Sequence, residues 1–404
     1  MIEWLAIPCA MVAAALMPSA KMKDKDKIKK VFEVGKVGVK KGDDMKYPKL
    51  IKEITGEDYT TYLYSLPLGI PSKVMELLIP SLEDGLNKTV EYEFEDGLVK
   101  LHVFETELPK RWDYDTSLIR PGTWEVPIGK NHHGILYHDF DKYQHLLMGG
   151  VTRYGKTVCI KEIMNTLISN NPNDIDIYIL DLKAGLEFYK YKVFPQVKEV
   201  ACDVFESAKL LDKLTNELKQ TEVFFRTKGW TNIVDTPIKK RTFILVDEGA
   251  ELSPDIIKDK TAKKFAAFCQ AALSEIARIS GGLGYRLIYC TQYPTKQAVP
   301  QQVKINIVAR LAFVCTSGVA SEVILDERGA EKIPSIPGRA IYLVDKPKTI
   351  QVPYIDDKMI FKMNKEQNNH VTVHTKPSRT DVGDSGSSWH RENKTPPRNP
   401  QAKL

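Results

Sequence analysis

The chain has 404 residues, 43% of them hydrophobic, with 58 Lys and Arg against 52 Asp and Glu. That length suits about two folded units plus tails, and the hydrophobic share is that of a globular protein. A surplus of six positive charges over the whole length is too diluted to point to nucleic acid, and six cysteines without a CxxC pair offer no zinc pattern and fit a reducing compartment.

Residues 4–20 are nearly all apolar and are followed at once by the charged run 21–30. No Lys or Arg precedes the apolar part, so the pattern predicts a transmembrane anchor at residues 1–20 in preference to a secretory signal. The positive charge behind it places the rest of the chain on the cytoplasmic side of the cell membrane, as a single-span protein. A buried or interfacial helix in a cytoplasmic protein is the alternative, because a bilayer asks for about 20 residues and Pro8 and Pro18 interrupt the run. Residues 21–46 read as a charged linker whose lysines would meet anionic headgroups if the anchor inserts, with Asp24 and Asp26 weakening that attraction.

Residues 47–110 read as a small α+β domain. Residues 59–66 alternate as a strand, 71–86 recur at helical spacing with Pro80 expected to kink or split the helix, and strands 90–94 and 99–105 flank the turn Glu95-Asp96-Gly97. Its residues assign it no chemistry beyond that of a spacer or oligomerisation module. From 111 to 360, strands at 143–148, 175–182, 199–202, 242–247, 286–291 and 308–315 alternate with helices. Most are continuous apolar runs, which predicts an α/β fold with a mainly parallel sheet covered on both faces. Residues 361–404 have almost nothing to bury and read as a disordered polar tail.

Within this α/β region, Gly150-Val151-Thr152-Arg153-Tyr154-Gly155-Lys156-Thr157 is a full GxxxxGK[ST] pattern set between an apolar strand and a helical stretch. Glycines let backbone N–H groups turn around phosphates, Lys156 reaches the β- and γ-oxygens as a mobile point charge, and the Thr157 hydroxyl ligates Mg²⁺, so ATP with Mg²⁺ is the expected ligand. Phe243-Ile-Leu-Val-Asp247-Glu248 then supplies Asp247 toward the metal and Glu248 toward the attacking water. The plainer reading makes the two acids a cap for the next helix. Roughly 90 residues between the motifs leave room for two βα units, which puts an extra strand between the P-loop strand and the Asp247 strand. Thr291-Gln292 ends a further buried strand, where the Gln292 amide would touch the γ-phosphate, or where the pair simply begins a turn before Pro294. His132, His133, His138 and His145 lack a ligand pattern and read as ordinary loop and strand histidines.

These residues together resemble the motor domain of the FtsK/SpoIIIE family of DNA translocases. The likeness runs from about residue 129 to 343 through Ile128-Gly129-Lys130, His145-Leu-Leu-Met-Gly-Gly150, Leu180-Asp181-Leu-Lys183, Asp247-Glu248, Thr291-Gln292-Tyr-Pro294, Asn306-Ile-Val-Ala-Arg310, and Ile324-Leu-Asp326 with Gly329-Ala330-Glu331. The resemblance implies a RecA-like P-loop ATPase core over residues 111–360, a hexameric homo-oligomeric ring, and ATP hydrolysis that moves duplex DNA. It also implies an arginine donated to a neighbour's site: Arg310 is similar in position to a characteristic family arginine, and Arg278 is the second candidate, though either would serve equally as a surface ion-pair partner. Arg153 and Tyr154 stand where the family has small residues, Gly281-Gly282 replaces a basic stretch, and Ala320-Ser321-Glu322 lacks an arginine that many relatives carry. The polar end leaves no segment for a winged-helix reading head, so movement directed by DNA sequence is not expected. A short anchor, one small unit and one motor look like the coupling or translocation ATPases of Gram-positive conjugative elements and plasmids, with a relaxase or other transfer machinery as partner. A protein-secretion motor, or a regulatory or packaging ATPase, is the alternative.

Overall fold

Two main sheets organise the molecule in the computed structural model, which describes residues 22–374 except 42, 43, 57, 72, 293, 296 and 297. The expected anchor at 1–20 and the end of the chain beyond 374 lie outside the described residues. Among those described, no helix is long and apolar enough to cross a membrane.

The first unit begins earlier than its composition suggests. Residues 24–34 of the expected charged linker form helix α1 (Asp24–Val34), because Ile28, Val31 and Phe32 recur at helical spacing among the lysines and are wholly buried. Strands β1 (Val39–Lys41) and β2 (Asp44–Lys46) make a short antiparallel ribbon. Strands β3 (Lys49–Thr55), β4 (Tyr59–Ser65), β5 (Thr89–Glu95) and β6 (Leu98–Phe104) form an antiparallel sheet in the order β3-β4-β6-β5. Helix α2 (Val74–Leu86) runs through Pro80 without splitting. Its buried Met75, Leu78 and Leu82 join Phe32 and Tyr64 in one core.

The second unit is built on a ten-stranded sheet. It uses β7 (Glu125–Asn131), β8 (Gly134–Asp139), β9 (Leu146–Gly149), β10 (Ile175–Leu180), β11 (Val197–Ala201), β12 (Arg241–Val246), β13 (Tyr285–Thr291), β14 (Ala309–Phe313), β15 (Arg339–Leu343) and β16 (Pro347–Gln351). The order is β11-β10-β12-β13-β9-β14-β15-β16-β7-β8; the first six strands are mutually parallel and the last four extend the sheet antiparallel. All six strands expected in this region are present. An extra strand does separate the P-loop strand β9 from β12, but it is β13, which follows Asp247 in sequence. The two strands between the motifs, β10 and β11, lie on the far side.

Helix α3 (Lys156–Asn170) and helix α8 (Asp357–His374) pack on one face, with Ile160, Ile163, Met164 and Ile360 in its core. Helices α4 (Val204–Lys228), α5 (Lys260–Ile279), α6 (Gln301–Asn306) and α7 (Gly318–Leu325) cover the other. The expected tail at 361–404 is therefore corrected at its start. Ile360 and Met363 are buried, and that packing carries the helix to His374 despite the polar sequence around them.

Helix α3 is buried nearly all round, so its polar side chains need internal partners. Asn170 accepts from the Arg120 N–H at 2.8 Å and donates to the Glu125 carbonyl at 2.8 Å. Thr166 donates to Glu162 at 2.8 Å and lies 2.9 Å from the Tyr114 hydroxyl. These bonds fix the platform that carries the P-loop.

Candidate nucleotide site

The loop between β9 and α3 turns at Gly150, whose φ of 135° suits only glycine, and a Cβ there would stand 2.9 Å from Phe313 Cβ. Gly155 caps α3 in a left-handed conformation, with φ 105°. Arg153 is also left-handed (φ 70°) and exposed, while Tyr154 packs against the core and its carbonyl accepts from the Gly338 N–H at 3.0 Å. The two bulky departures in the loop thus point to different surroundings, and Tyr154 ties the loop to the start of β15. Lys156 is 4% exposed and its Nζ donates to the Val151 carbonyl across the loop. Burial lowers its pKa, and the nearby Glu248 and Asp247 carboxylates oppose that shift. Thr157 is half-buried in the first turn of α3.

Strand β12 delivers the acids. Asp247 continues the ladder past the strand end by donating its N–H to the Leu180 carbonyl at 3.1 Å, and the carboxylates of Asp247 and Glu248 are almost wholly buried. Gly249 must follow, because a Cβ there would sit 2.1 Å from the Tyr289 ring. With one strand between β12 and β9, and strands spaced about 4.8 Å apart, the two motifs stand about 10 Å from each other along the same carboxyl edge. The P-loop and the acidic pair therefore converge, as their chemistry requires.

The Glu248 carboxylate is held from several sides. Thr291 Oγ1 donates to Oε1 at 2.9 Å, and the Gln292 N–H stands 3.0 Å from both oxygens. Beside the role expected of its amide side chain, Gln292 thus holds the glutamate through its main-chain N–H. The lysine the sequence reading did not place in the site is Lys183, whose Nζ lies 3.1 Å from Asp247 and 3.8 Å from Glu248. Asp181 positions it: its Oδ2 accepts from the N–H groups of Glu187 (3.0 Å) and Phe188 (2.7 Å), closing the loop that starts at Lys183 and turns through left-handed Ala184 and Gly185. The Leu180-Asp181-Leu-Lys183 stretch carried that signal, but only the pairing of β10 with β12 brings Lys183 to Asp247. Burial raises the pKa of Asp247 and of Glu248, and Lys183 lowers both, only in part offsetting that rise.

The arginine candidates lie apart from this cluster. Arg310, near the start of β14, makes an ion pair with Asp326 and donates to the Ile307 carbonyl at 3.3 Å; Lys304 shares the same aspartate at 2.6 Å. Arg278 is exposed in the last turn of α5, with no ion-pair partner among the described residues. The four histidines go to separate places: His138 bonds Tyr342 at 2.8 Å, His145 accepts from the Leu287 N–H at 2.9 Å, His132 stacks on Phe104, and His133 pairs with Glu91 at 2.9 Å. Among the described residues, no group of three or more His, Cys, Asp or Glu is placed to hold a metal.

Comparison with known proteins agrees with this geometry. Residues 118–242 match the FtsK/SpoIIIE family model, a span that includes the P-loop and ends just before Asp247. The chain is 28% identical over 247 residues to the DNA translocase FtsK of Listeria monocytogenes, covering 58% of this chain and 32% of that protein. It is 25% identical over 259 residues to the DNA translocase SpoIIIE of Bacillus subtilis, covering 59% and 32%. It thus spans about a third of the length of these curated relatives. Its fold is similar to the pCW3 conjugation coupling protein TcpA, solved in a monomer form with ATPγS (TM-score 0.63, 24% identity, 86% of this chain and 100% of that one). It is also similar to the cytoplasmic domain of the Type VII secretion ATPase EccC of Thermomonospora curvata (TM-score 0.52, 21% identity, 63% and 32%). Residues 118–242 are thus similar to the FtsK/SpoIIIE family, and the fold around them is that of a P-loop ATPase.

Proposed function

We propose that this chain is an ATP-driven motor that moves duplex DNA, working as a hexameric ring in conjugative or plasmid DNA transfer. The observation that carries the reading is the convergence of Lys156, Asp247, Glu248 and Lys183 on one edge of the parallel sheet, with Glu248 oriented by Thr291 and Gln292. The translocase relatives and the coupling-protein fold support DNA as the substrate and transfer as the setting.

The residues present fit Mg²⁺. Asp247 is a nearly buried carboxylate whose charge is only partly met by Lys183, and hard oxygens from Asp247 and Thr157 are the ligands this ion takes alongside phosphates. When bound, the ion screens the charge of the phosphate oxygens. Lys156 binds the terminal phosphates, exchanging its loop carbonyl for them. Glu248 orients the attacking water and accepts its proton at a carboxylate oxygen. Its bonds to Thr291 and Gln292 aim that carboxylate, and they link the proton acceptor to the strand end where a conformational signal would start. Arg310 is the residue offered to a neighbouring subunit's γ-phosphate, which requires that it leave Asp326.

A ring also gives the membrane reading a purpose: residues 4–20 would hold the motor at the cell membrane, with a relaxase or other transfer component delivering DNA. ATP hydrolysis by the purified full chain, measured with and without saturating duplex DNA, tests the reading. Stimulation of several-fold is expected. Turnover indifferent to duplex DNA would overturn it in favour of a protein-secretion motor, a reading supported by the fold likeness to a Type VII secretion ATPase, or of a regulatory or packaging ATPase.

A further inference from the structure

The first unit contains a pocket of about 660 Å³ where α1, the end of the β1–β2 ribbon and strands β3 and β4 meet. Its apolar lining includes Tyr47, Leu50, Tyr64 and Leu66, and its basic residues are Lys25, Lys29, Lys46 and Lys49, against the single acid Asp26. Two of these lysines are partly answered on the surface, Lys25 by Glu53 at 3.5 Å and Lys29 by Glu33 at 3.8 Å. Lys46 and Lys49 are exposed and have no ion-pair partner among the described residues. Tyr64 is 2% exposed, yet its hydroxyl makes no hydrogen bond among the described residues. Burial and nearby acidic groups push the pKa of that hydroxyl up, so it stays a neutral donor. A buried hydroxyl left unbonded costs about 1–3 kcal/mol, a cost that an acceptor oxygen brought into the pocket would remove.

We propose that this pocket binds the headgroup and first methylenes of an anionic phospholipid. A phosphate diester meets the lysines, the Tyr64 hydroxyl donates to one of its oxygens, and the apolar lining takes the glycerol and upper chain. Nucleic acid shares the phosphate, but its hydrophilic backbone has no use for the apolar lining. Position supports the lipid as well. The apolar run 4–20 ends just before Lys21, and α1, which lines the pocket through Lys25, Asp26 and Lys29, begins at Asp24. The inference concerns a unit separate from the nucleotide site and stands whether or not the chain moves DNA.

The test uses the full chain in uncharged detergent, with dihexanoylphosphatidylglycerol titrated below its micelle concentration. Acetylation of Lys46 and Lys49 is read by mass spectrometry, and the exposed Lys263 and Lys264 serve as controls. Protection of the pocket lysines alone is expected, about fivefold or more, with none from dihexanoylphosphatidylcholine. Tyr64→Phe should raise the lipid concentration at half-protection about threefold or more, and Lys46→Glu, read at Lys49, about fivefold or more. Failure to protect, protection by the choline lipid, or half-points unchanged in both variants would overturn the proposal. So would equal protection by inorganic phosphate or by duplex DNA at matched phosphate concentration, which would assign the pocket to a free anion or to nucleic acid.

Discussion

Strands β12 and β13 bury charge at both of their ends, and the two ends balance it in opposite ways. At the amino end, Arg241 and Arg286 share one carboxylate, Asp141, at 2.9 and 2.7 Å, and further guanidinium bonds go to backbone carbonyls. Burial works against the Asp141 charge, but the two arginines win and its pKa lies below the ordinary carboxylate range. At the carboxyl end, two buried acids share one lysine, Lys183, while Lys156 is bonded to its own loop. There burial wins, and the pKa of each acid is raised. The same sheet thus holds one charge cluster closed by its own residues and another with unmet negative charge facing the P-loop. The first is a staple. The second is the place where the proposed function seats a cation and a phosphate chain.

The largest expected effects fall at the open end. Lys156→Ala should abolish nucleotide binding, read with a fluorescent ATP analogue. Glu248→Gln should keep that binding but lower turnover by about 10²–10⁴-fold, because an amide still bonds water but accepts no proton. Undiminished turnover in the glutamine variant would remove Glu248 from the reaction. Both variants should stay folded, which separates this end from the other.

Asp141→Ala should instead cost stability, by about 3–5 kcal/mol in denaturant unfolding, since it leaves two buried guanidinium groups unpaired. The pH signs of the two ends should also differ. Asp141, with a lowered pKa, contributes stability that is present above its unfolded value and lost as pH falls through the folded one. Asp247 and Glu248, with raised values, contribute stability present at low pH and lost as pH rises through their folded values. A double Asp247→Asn, Glu248→Gln chain should therefore be more stable than the parent at neutral pH, with the gap closing on acidification. A parent chain as stable as that variant at neutral pH would break the comparison.

Lys183→Met removes the cation paired with Asp247 and Glu248, so the acid limb of the pH–rate profile should move to higher pH. An unmoved limb would show that Lys183 does not set their charge. The effect most confined to one residue lies within α3 at Glu162, wholly buried and pushed up to about 8. Between its unfolded value of 4.5 and about 8, the folded chain holds a proton the unfolded chain has lost, so stability falls as pH rises across that window. Glu162→Gln should remove that slope, which amounts to at most about 1.4 kcal/mol per pH unit in urea titrations.

Sequence carried the catalytic core further than the first unit for a physical reason. The strands of the parallel sheet are buried on both faces, so they stand out as continuous apolar runs, and the P-loop and Asp247-Glu248 are short local patterns whose chemistry is fixed by residue type. Helix α1 was hidden because its three buried residues are diluted by lysines. Strand β3, exposed along most of its length, shows no apolar run. The part of α8 beyond residue 360 reads as tail, because two buried apolar side chains, Ile360 and Met363, decide its packing in an otherwise polar stretch.

What the sequence determined by itself was the set of groups that the proposed function places around a triphosphate, and the order in which they occur. Tertiary structure alone decided which strand separates β9 from β12, that Lys183 stands beside the acidic pair, that the Gln292 N–H bonds Glu248, and that Arg310 pairs with Asp326. Each of these depends on strand order or on neighbours far along the chain. Burial, which sets whether a carboxylate is satisfied or left wanting a partner, exists only once those strands have come together.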